Sequence, residues 1–343
     1  MKVGSVVYAT NQGLGHLAKS FFDAGVIDKV MIYRHPHGEI AAPTHREWYP
    51  NDTPVLIASN FASKVAERFL DDVDVMLFFE TPFDWSFANR CHEREVKTVL
   101  IPMYEWFPFN PPHAFDLFLN PSALDQMYFS HGTHIPVPVD NDIKHTMRHT
   151  ATRFLHNAGH IGSRNHKGTL ELLRAMEFVQ SPIQLTVRCQ HTKRLHRLLH
   201  SSGINMDDPR LEIIDHEIPR SELFHTNFDV YIAPEKYNGL SLPLQQAFAS
   251  GMPVMTSDRF PHNTWLPNEI LIPVSDTRNA QVMGGHMLIE ESIITPRDIA
   301  QTIDDWYGKD ITHLSQLGHQ YAIDNSWEQL KPRYIEALES LIK

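Results

Sequence analysis

From Ala233 to Val254 the chain reads APEKYNGLSLPLQQAFASGMPV. A β-rich run ends at Ala233, a glycine-bearing turn follows, and Pro243 stands in the first turn of a helix, where its missing N–H costs nothing. The backbone N–H groups of Gly239, Leu240 and Ser241 are then expected to point, with the helix dipole, at a ligand beyond the strand; such an arrangement holds an anion. A second group of candidates lies in the first half. Asn11-Gln12-Gly13-Leu14-Gly15-His16 follows the first strand and opens a helix, so Gly15 lets the backbone approach a ligand and His16 falls at the helix start. Glu80 in MLFFETPFDW and Glu105 in LIPMYEWFPF each follow a strand and are embedded in aromatic residues. That setting raises a carboxyl pKa and suits proton transfer to or from a hydroxyl; a hydrogen-bonded strand terminus is the alternative. Trp85, Trp106 and Phe107 offer flat faces on which a ligand ring stacks, core packing being their other reading.

The Ala233–Val254 segment resembles the donor-site signature of the large retaining glycosyltransferase family with the GT-B fold. In that signature a glutamate, a Gly-aromatic-Gly-Leu-Pro turn and a second glutamate precede an Ala/Ser-Cys-Gly-x-Pro-Val strand start. Here Tyr237-Asn238-Gly239-Leu240-Ser241-Leu242-Pro243 stands at the turn and Ala249-Ser250-Gly251-Met252-Pro253-Val254 at the strand start. Both glutamate positions are amides, Asn238 and Gln246, which still hydrogen-bond hydroxyls but neither act as a base nor stabilise a cation as a carboxylate does. The resemblance implies that Asn238 approaches the sugar ring and Gln246 the ribose, with Glu235 as a substitute carboxylate. Phe154–Thr169, FLHNAGHIGSRNHKGT, is similar to the opening of the same family's second domain, where an Arg and a Lys hold the donor diphosphate. Lys167-Gly168 matches the Lys-Gly pair, and the Arg has no aligned twin, which leaves its role to Arg164 or His160. A diphosphate is well served by charge-assisted donors in a partly dry cleft. Gly13-Leu14-Gly15-His16 is similar to the Gly-x-Gly-His of several GT-B transferases, where the His is an acceptor-side base; a capping or packing His is the alternative.

These residues need a framework of strands with crossover helices, and β-rich runs do alternate with helical stretches along the chain. In the first half strands are predicted at Val3–Ala9, Val30–Tyr33, Val55–Ala58, Val75–Phe79, Thr98–Ile101, Leu117–Leu119 and Ile135–Val137, and helices at Leu17–Ala24, Ala62–Leu70 and Trp85–Glu93. Pro136 to Thr150 loses apolar periodicity and reads as a linker. The alternation restarts with strands at Arg153–Ala158, Gln184–Arg188, Leu211–Ile214, Val230–Ala233 and Pro253–Thr256, and helices at Gly168–Phe178, Lys193–His200, Leu242–Ala249 and Pro296–Tyr307. Ser326 caps a closing helix that contains Pro332. The resulting expectation is an α/β GT-B chain, two Rossmann-like doubly wound domains facing a central cleft. Residues 1–140 form the acceptor-binding domain, 151–325 the nucleotide-sugar domain, and 326–343 a helix crossing back to the first.

With 343 residues the chain exceeds a single core, and a hydrophobic fraction of 42% is that of a globular protein. No apolar run approaches the ~18 residues that span a bilayer, and the opening MKVGSVVYAT lacks the features of a signal peptide. Cys91 and Cys189 are far apart and imply no disulfide framework, which fits a reducing cytoplasm, that of the host for a phage protein. A net charge of −11 argues against a surface that embraces nucleic acid throughout. The scattered histidines, Asp72-Val73-Asp74 and Asp140-Asn141-Asp142 do not fit catalytic metal spacing or placement, and no metal or other cofactor is expected. By resemblance the reaction is transfer of a hexose from a UDP-sugar such as UDP-glucose to a hydroxyl, with retention. The acceptor is left open between a small molecule, protein or polysaccharide precursor and a hydroxymethylated pyrimidine in DNA, as in phage enzymes. Basic stretches at Lys144–Arg153 and Arg188–Arg197 and the aromatic pocket around Trp106 speak for DNA. A nucleotide-sugar-binding relative without activity is the non-enzymatic alternative.

Overall fold

A computed structural model describes the chain except for residues 35–43, 58–60, 109, 160–164, 191, 205–206, 215, 217, 219–221, 223, 225–226 and 283–286. It divides into two compact units, one of Met1–Pro138, Gln281–Met287 and Trp327–Lys343, the other of Val139–Ala280 and Leu288–Ser326.

The first unit is built on a parallel sheet of strands β1 (Val3–Val7), β2 (Lys29–Arg34), β3 (Val55–Ile57), β4 (Val75–Glu80), β5 (Lys97–Pro102), β6 (Leu117–Asn120) and β7 (Thr133–His134), in the order β3-β2-β1-β4-β5-β6-β7. β1, β4 and β5 are near-continuous apolar runs because a parallel sheet is covered on both faces. Helices α1 (Gly13–Asp23), α2 (Lys64–Leu70), α3 (Trp85–Glu93) and α4 (Ala123–Tyr128) make the crossovers. Asp84 caps α3 through the Ser86 N–H at 2.7 Å, and Ser122 caps α4 through the Asp125 N–H at 3.1 Å. The last strand is Thr133–His134 and not the expected Ile135–Val137, where Pro136 has no N–H to give a ladder. The closing helix, which is α10 (Trp327–Glu339) in chain order, belongs to this unit: Trp327, Leu330, Tyr334 and Leu338 form its buried face. Phe21 meets both Trp327 and Tyr334 edge-on with centroids 4.9 Å away.

The second unit carries β8 (Arg153–Gly159), β9 (Gln184–Cys189), β10 (Leu211–Ile214), β11 (Val230–Ala233) and β12 (Val254–Thr256) in the parallel order β10-β9-β8-β11-β12. Helices α5 (Thr169–Ala175), α6 (Thr192–Ser201), α7 (Leu242–Ala249), α8 (Pro296–Trp306) and α9 (Thr312–Asp324) accompany it, with a two-stranded sheet of β13 (Asp276–Val282) and β14 (Met287–Ile293). One core cluster joins Phe154, Leu185 and Val187 to residues of α5 and α8; the other joins Leu155 and Tyr231 to α7. The stretch expected to be a linker is packed here: the Thr146 N–H donates to Ser250 O at 2.9 Å and Ile143 lies against the α7 cluster. Each sheet reverses its strand order once, between β1 and β4 and between β8 and β11, and ligands of doubly wound sheets bind at the carboxyl ends of strands at such a switch.

Candidate functional site

At the switch point of the second unit two turns are locked together. β8 ends at Gly159, the chain is described again from Asn165, and Gly168 is the N-cap of α5. The turn between β11 and α7 begins at Pro234. The Lys236 N–H donates to His166 O at 2.7 Å, and a Cβ on Gly168 would stand 2.1 Å from Pro234 O. Gly168 also lies at φ +67°, so contact and conformation both require glycine. Lys167 is thereby placed beside the β11 turn and donates from Nζ to Asn157 O at 3.4 Å. Burial pushes its ammonium pKa down, and the nearby Glu235 carboxylate opposes that. The same burial, with Lys167 and Lys236 close by, pushes His166 down to about 4 and leaves it neutral. Arg164 and His160, the two candidates for the second cation, lie outside the described residues.

The turn before α7 is braced from within. Asn238 Oδ1 accepts from the Leu240 N–H at 3.2 Å and the Ser241 N–H at 3.1 Å. Two of the three amides expected to face an anion are therefore held by the turn's own side chain, an Asx-type cap that the sequence reading did not foresee. Ser241 stands at φ 42° and donates its hydroxyl to Glu235 Oε1 at 2.8 Å; Glu235 is 1% exposed. His262 lies behind it, fully buried, with Nε2 3.9 Å from Glu235 Oε2 and a pKa held well below the usual value by burial. Gln246 directs its amide nitrogen to Asp140 Oδ2 at 3.4 Å. Arg259, three residues beyond β12, donates to Asn238 O at 2.9 Å. The sequence reading missed it, although a cation just past the carboxyl end of the strand beside β11 was the available signal.

The first unit gathers carboxylates at the carboxyl ends of β4, β5 and β6. Glu80 closes β4 at φ 63°, opposite Pro102 in the register with β5. Glu105 follows β5 and is buried, and the adjoining Tyr104 N–H donates to Asp125 Oδ1 at 3.0 Å. Burial, and then the charge of Glu105, push Glu80 up to about 7. Asp125 is also pushed up to about 7 by burial, with Glu105 adding to the rise and the Ser122 hydroxyl opposing it. Asp125 was not singled out in the sequence, because its relation to Glu105 exists only once β5 and β6 are neighbours. Tyr8, just past β1, packs on Phe83 with centroids 4.4 Å away, and burial with the charges of Tyr33 and Glu80 raises it to about 12.

His16 lies in the first turn of α1 with Nε2 2.7 Å from Asn11 Oδ1 and its ring 5.0 Å from Trp48. Gly15 has a packing reason of its own: a Cβ there would stand 2.1 Å from Thr10 O. Trp85 is packed against the core, edge-on to Phe107 and Phe115, whereas Trp106 is 37% exposed. The structure thus brings Lys167, Glu235, Asn238, Gly239, Leu240 and Ser241 together in one unit, and Glu80 with Glu105 in the other.

No protein-family model and no curated protein sequence matches the chain. Solved structures do. HepE of Anabaena in complex with UDP and glucose superposes with a TM-score of 0.68 at 11% identity, over 99% of this chain and 100% of that one. A glycosyltransferase from Rickettsia africae gives a TM-score of 0.69 at 13% identity, over 100% and 98% of the two chains. Sucrose-phosphate synthase from Thermosynechococcus elongatus gives 0.63 at 12%, over 100% and 99%. At such identities the likeness establishes the fold alone, the α/β GT-B fold with its two parallel sheets.

Proposed function

We propose that this chain is a glycosyltransferase that moves a hexose from a UDP-sugar to a hydroxyl acceptor. The observation that carries the reading is the Lys236 N–H to His166 O bond, which joins the loop bearing Lys167 to the turn bearing Asn238–Ser241 at a topological switch point. HepE, a chain of the same fold, binds UDP-glucose in a further solved structure, which supports the choice of nucleotide. In the reaction the bond from the anomeric carbon to the β-phosphate oxygen breaks, UDP departs, and the acceptor oxygen forms the new glycosidic bond. Lys167 and the N-terminus of α7 stabilise the charge that develops on the leaving diphosphate. The acceptor proton passes to Glu80 of the first unit, which closes β4 and whose pKa of about 7 suits exchange with a hydroxyl. The first unit serves the acceptor and the second the donor; retention of configuration rests on the sequence resemblance.

For the acceptor we favour a small molecule or saccharide over DNA. Three cations of the two basic stretches are used internally: Arg148 donates to Phe228 O and Ser250 O, each at 3.0 Å, Arg153 pairs with Asp229 at 2.8 Å, and Arg188 lies over the Phe228 ring. The test incubates the full chain with labelled UDP-glucose, UDP-galactose and UDP-N-acetylglucosamine, each offered simple glycosides and hydroxymethylcytosine DNA. The expected result is UDP release with label on a glycoside, lost in Lys167→Met. Label on DNA would reassign the acceptor, and a chain that binds none of the three donors would refute the reading.

A further inference from the structure

One cation of the second unit has no part in that chemistry, yet it is bonded through every polar group it has. Lys236 donates its N–H to His166 O at 2.7 Å, and its carbonyl accepts from the Ser292 N–H at 2.8 Å. Its ammonium lies 2.7 Å from Glu171 of α5 and 3.9 Å from Glu291 of β14. A single residue thus ties together the loop that carries Lys167, the turn that carries Asn238–Ser241, and the stem of the β13–β14 pair.

Its partners are themselves fixed. Glu291, 8% exposed, also accepts from Arg278 Nε of β13 at 2.9 Å. Glu171 accepts from Asn165 Nδ2 at 2.6 Å, and Asn165 Oδ1 in turn accepts from the Leu170 N–H at 3.1 Å. Removing the Lys236 charge would leave Glu171 and Glu291 on either side of an apolar stem, where partly buried like charges repel. The strain relaxes by moving either the β13–β14 stem from the turn or the turn from the Lys167 loop. Both motions begin at the residue next to Glu235, and His166 is the immediate neighbour of Lys167 in the chain.

We propose that Lys236 is a positioning residue, which sets the spacing between Lys167 and the Asn238–Ser241 turn and makes the β13–β14 stem part of the frame of the donor site. The inference rests on the donor reading above. UDP is the probe, titrated calorimetrically into the full chain and into Lys236→Met, Lys236→Arg and Glu291→Gln, with a urea unfolding curve for each. Lys236→Met weakens UDP binding about tenfold, a normal size for coupling between neighbouring elements. Lys236→Arg recovers most of the loss, and Glu291→Gln weakens binding severalfold at an unchanged urea midpoint. Equal UDP affinity in wild type, Lys236→Met and Glu291→Gln overturns the inference, as does a loss that only follows the urea midpoint. Should Lys236→Met fail to fold, Glu291→Gln decides alone. A wild-type chain that does not bind UDP overturns the donor reading itself, and this inference with it.

Discussion

Ser241 gives its hydroxyl hydrogen to Glu235 at 2.8 Å while its own backbone occupies the left-handed region at φ 42°. Such a conformation costs a non-glycine residue about 1 to 3 kcal/mol and persists only where its surroundings hold it. Glu235→Ala removes the acceptor and leaves Lys167 without its nearby negative charge. The variant is expected to lose about 1 to 3 kcal/mol of stability in urea denaturation. A wild-type midpoint would show that the pair does not hold the turn.

The carboxylates of the first unit predict a pH dependence of stability. Glu80 and Asp125 titrate at about 7 in the folded chain against ordinary values of 4.5 and 3.8. The folded chain therefore binds these protons more tightly than the unfolded one. Their stabilising contribution is complete below about pH 4 and is lost as the pH rises to about 7. Urea unfolding measured across that window should show a smaller decline for Glu80→Gln than for wild type. If Glu80 also takes the acceptor proton, kcat/KM rises through about pH 7 in wild type and that limb is missing in the variant.

Asn238 caps the turn with a neutral oxygen. A carboxylate in its place caps the same N–H groups more strongly and adds a negative charge beside the diphosphate position proposed above. Asn238→Asp should therefore keep or raise the melting temperature while weakening UDP binding about tenfold, or by ~1.4 kcal/mol. Calorimetry checks the affinity, and an unweakened affinity would place the diphosphate elsewhere.

Gly168 admits no side chain, since an added Cβ would stand 2.1 Å from Pro234 O and the backbone is at φ +67°. Gly168→Ala forces the two turns apart. We expect a loss of about 2 to 3 kcal/mol together with UDP binding. A variant that retains both would mean that the β8 and β11 loops need not touch.

Much of this architecture could be read from residue patterns. Leu211–Ile214, Val230–Ala233, Trp85–Glu93 and Leu242–Ala249 fold with the predicted bounds because each joins a clear period to a clear stop, such as Pro243 or Asp84. α9 escaped, since its buried positions are Leu314, Ser315 and Gly318, too small and polar a face to register as amphipathic. The β13–β14 pair escaped for a related reason: DTRNAQV has no alternation and, among the described residues, pairs only with β14. The sequence names Lys167, Glu235 and Asn238, and the structure puts them in two joined loops. The direction of Asn238 was not legible, because an Asn before a tight turn caps it or reaches outward with the same sequence. Arg259 and Asp125 depend on which strands lie side by side, and no local pattern states that.

The helix that packs Trp327 and Tyr334 on Phe21 has a consequence for biosynthesis. Trp327 also donates to the Ser20 hydroxyl at 2.8 Å, so the flank of α1 is covered by residues translated some three hundred codons later. As the nascent chain leaves the ribosome, the unit that starts first is the last to be finished, with the whole of the other sheet made in between. Until then an aromatic ledge around Phe21 stays open to solvent, and chaperone binding to ribosome-held intermediates should concentrate there.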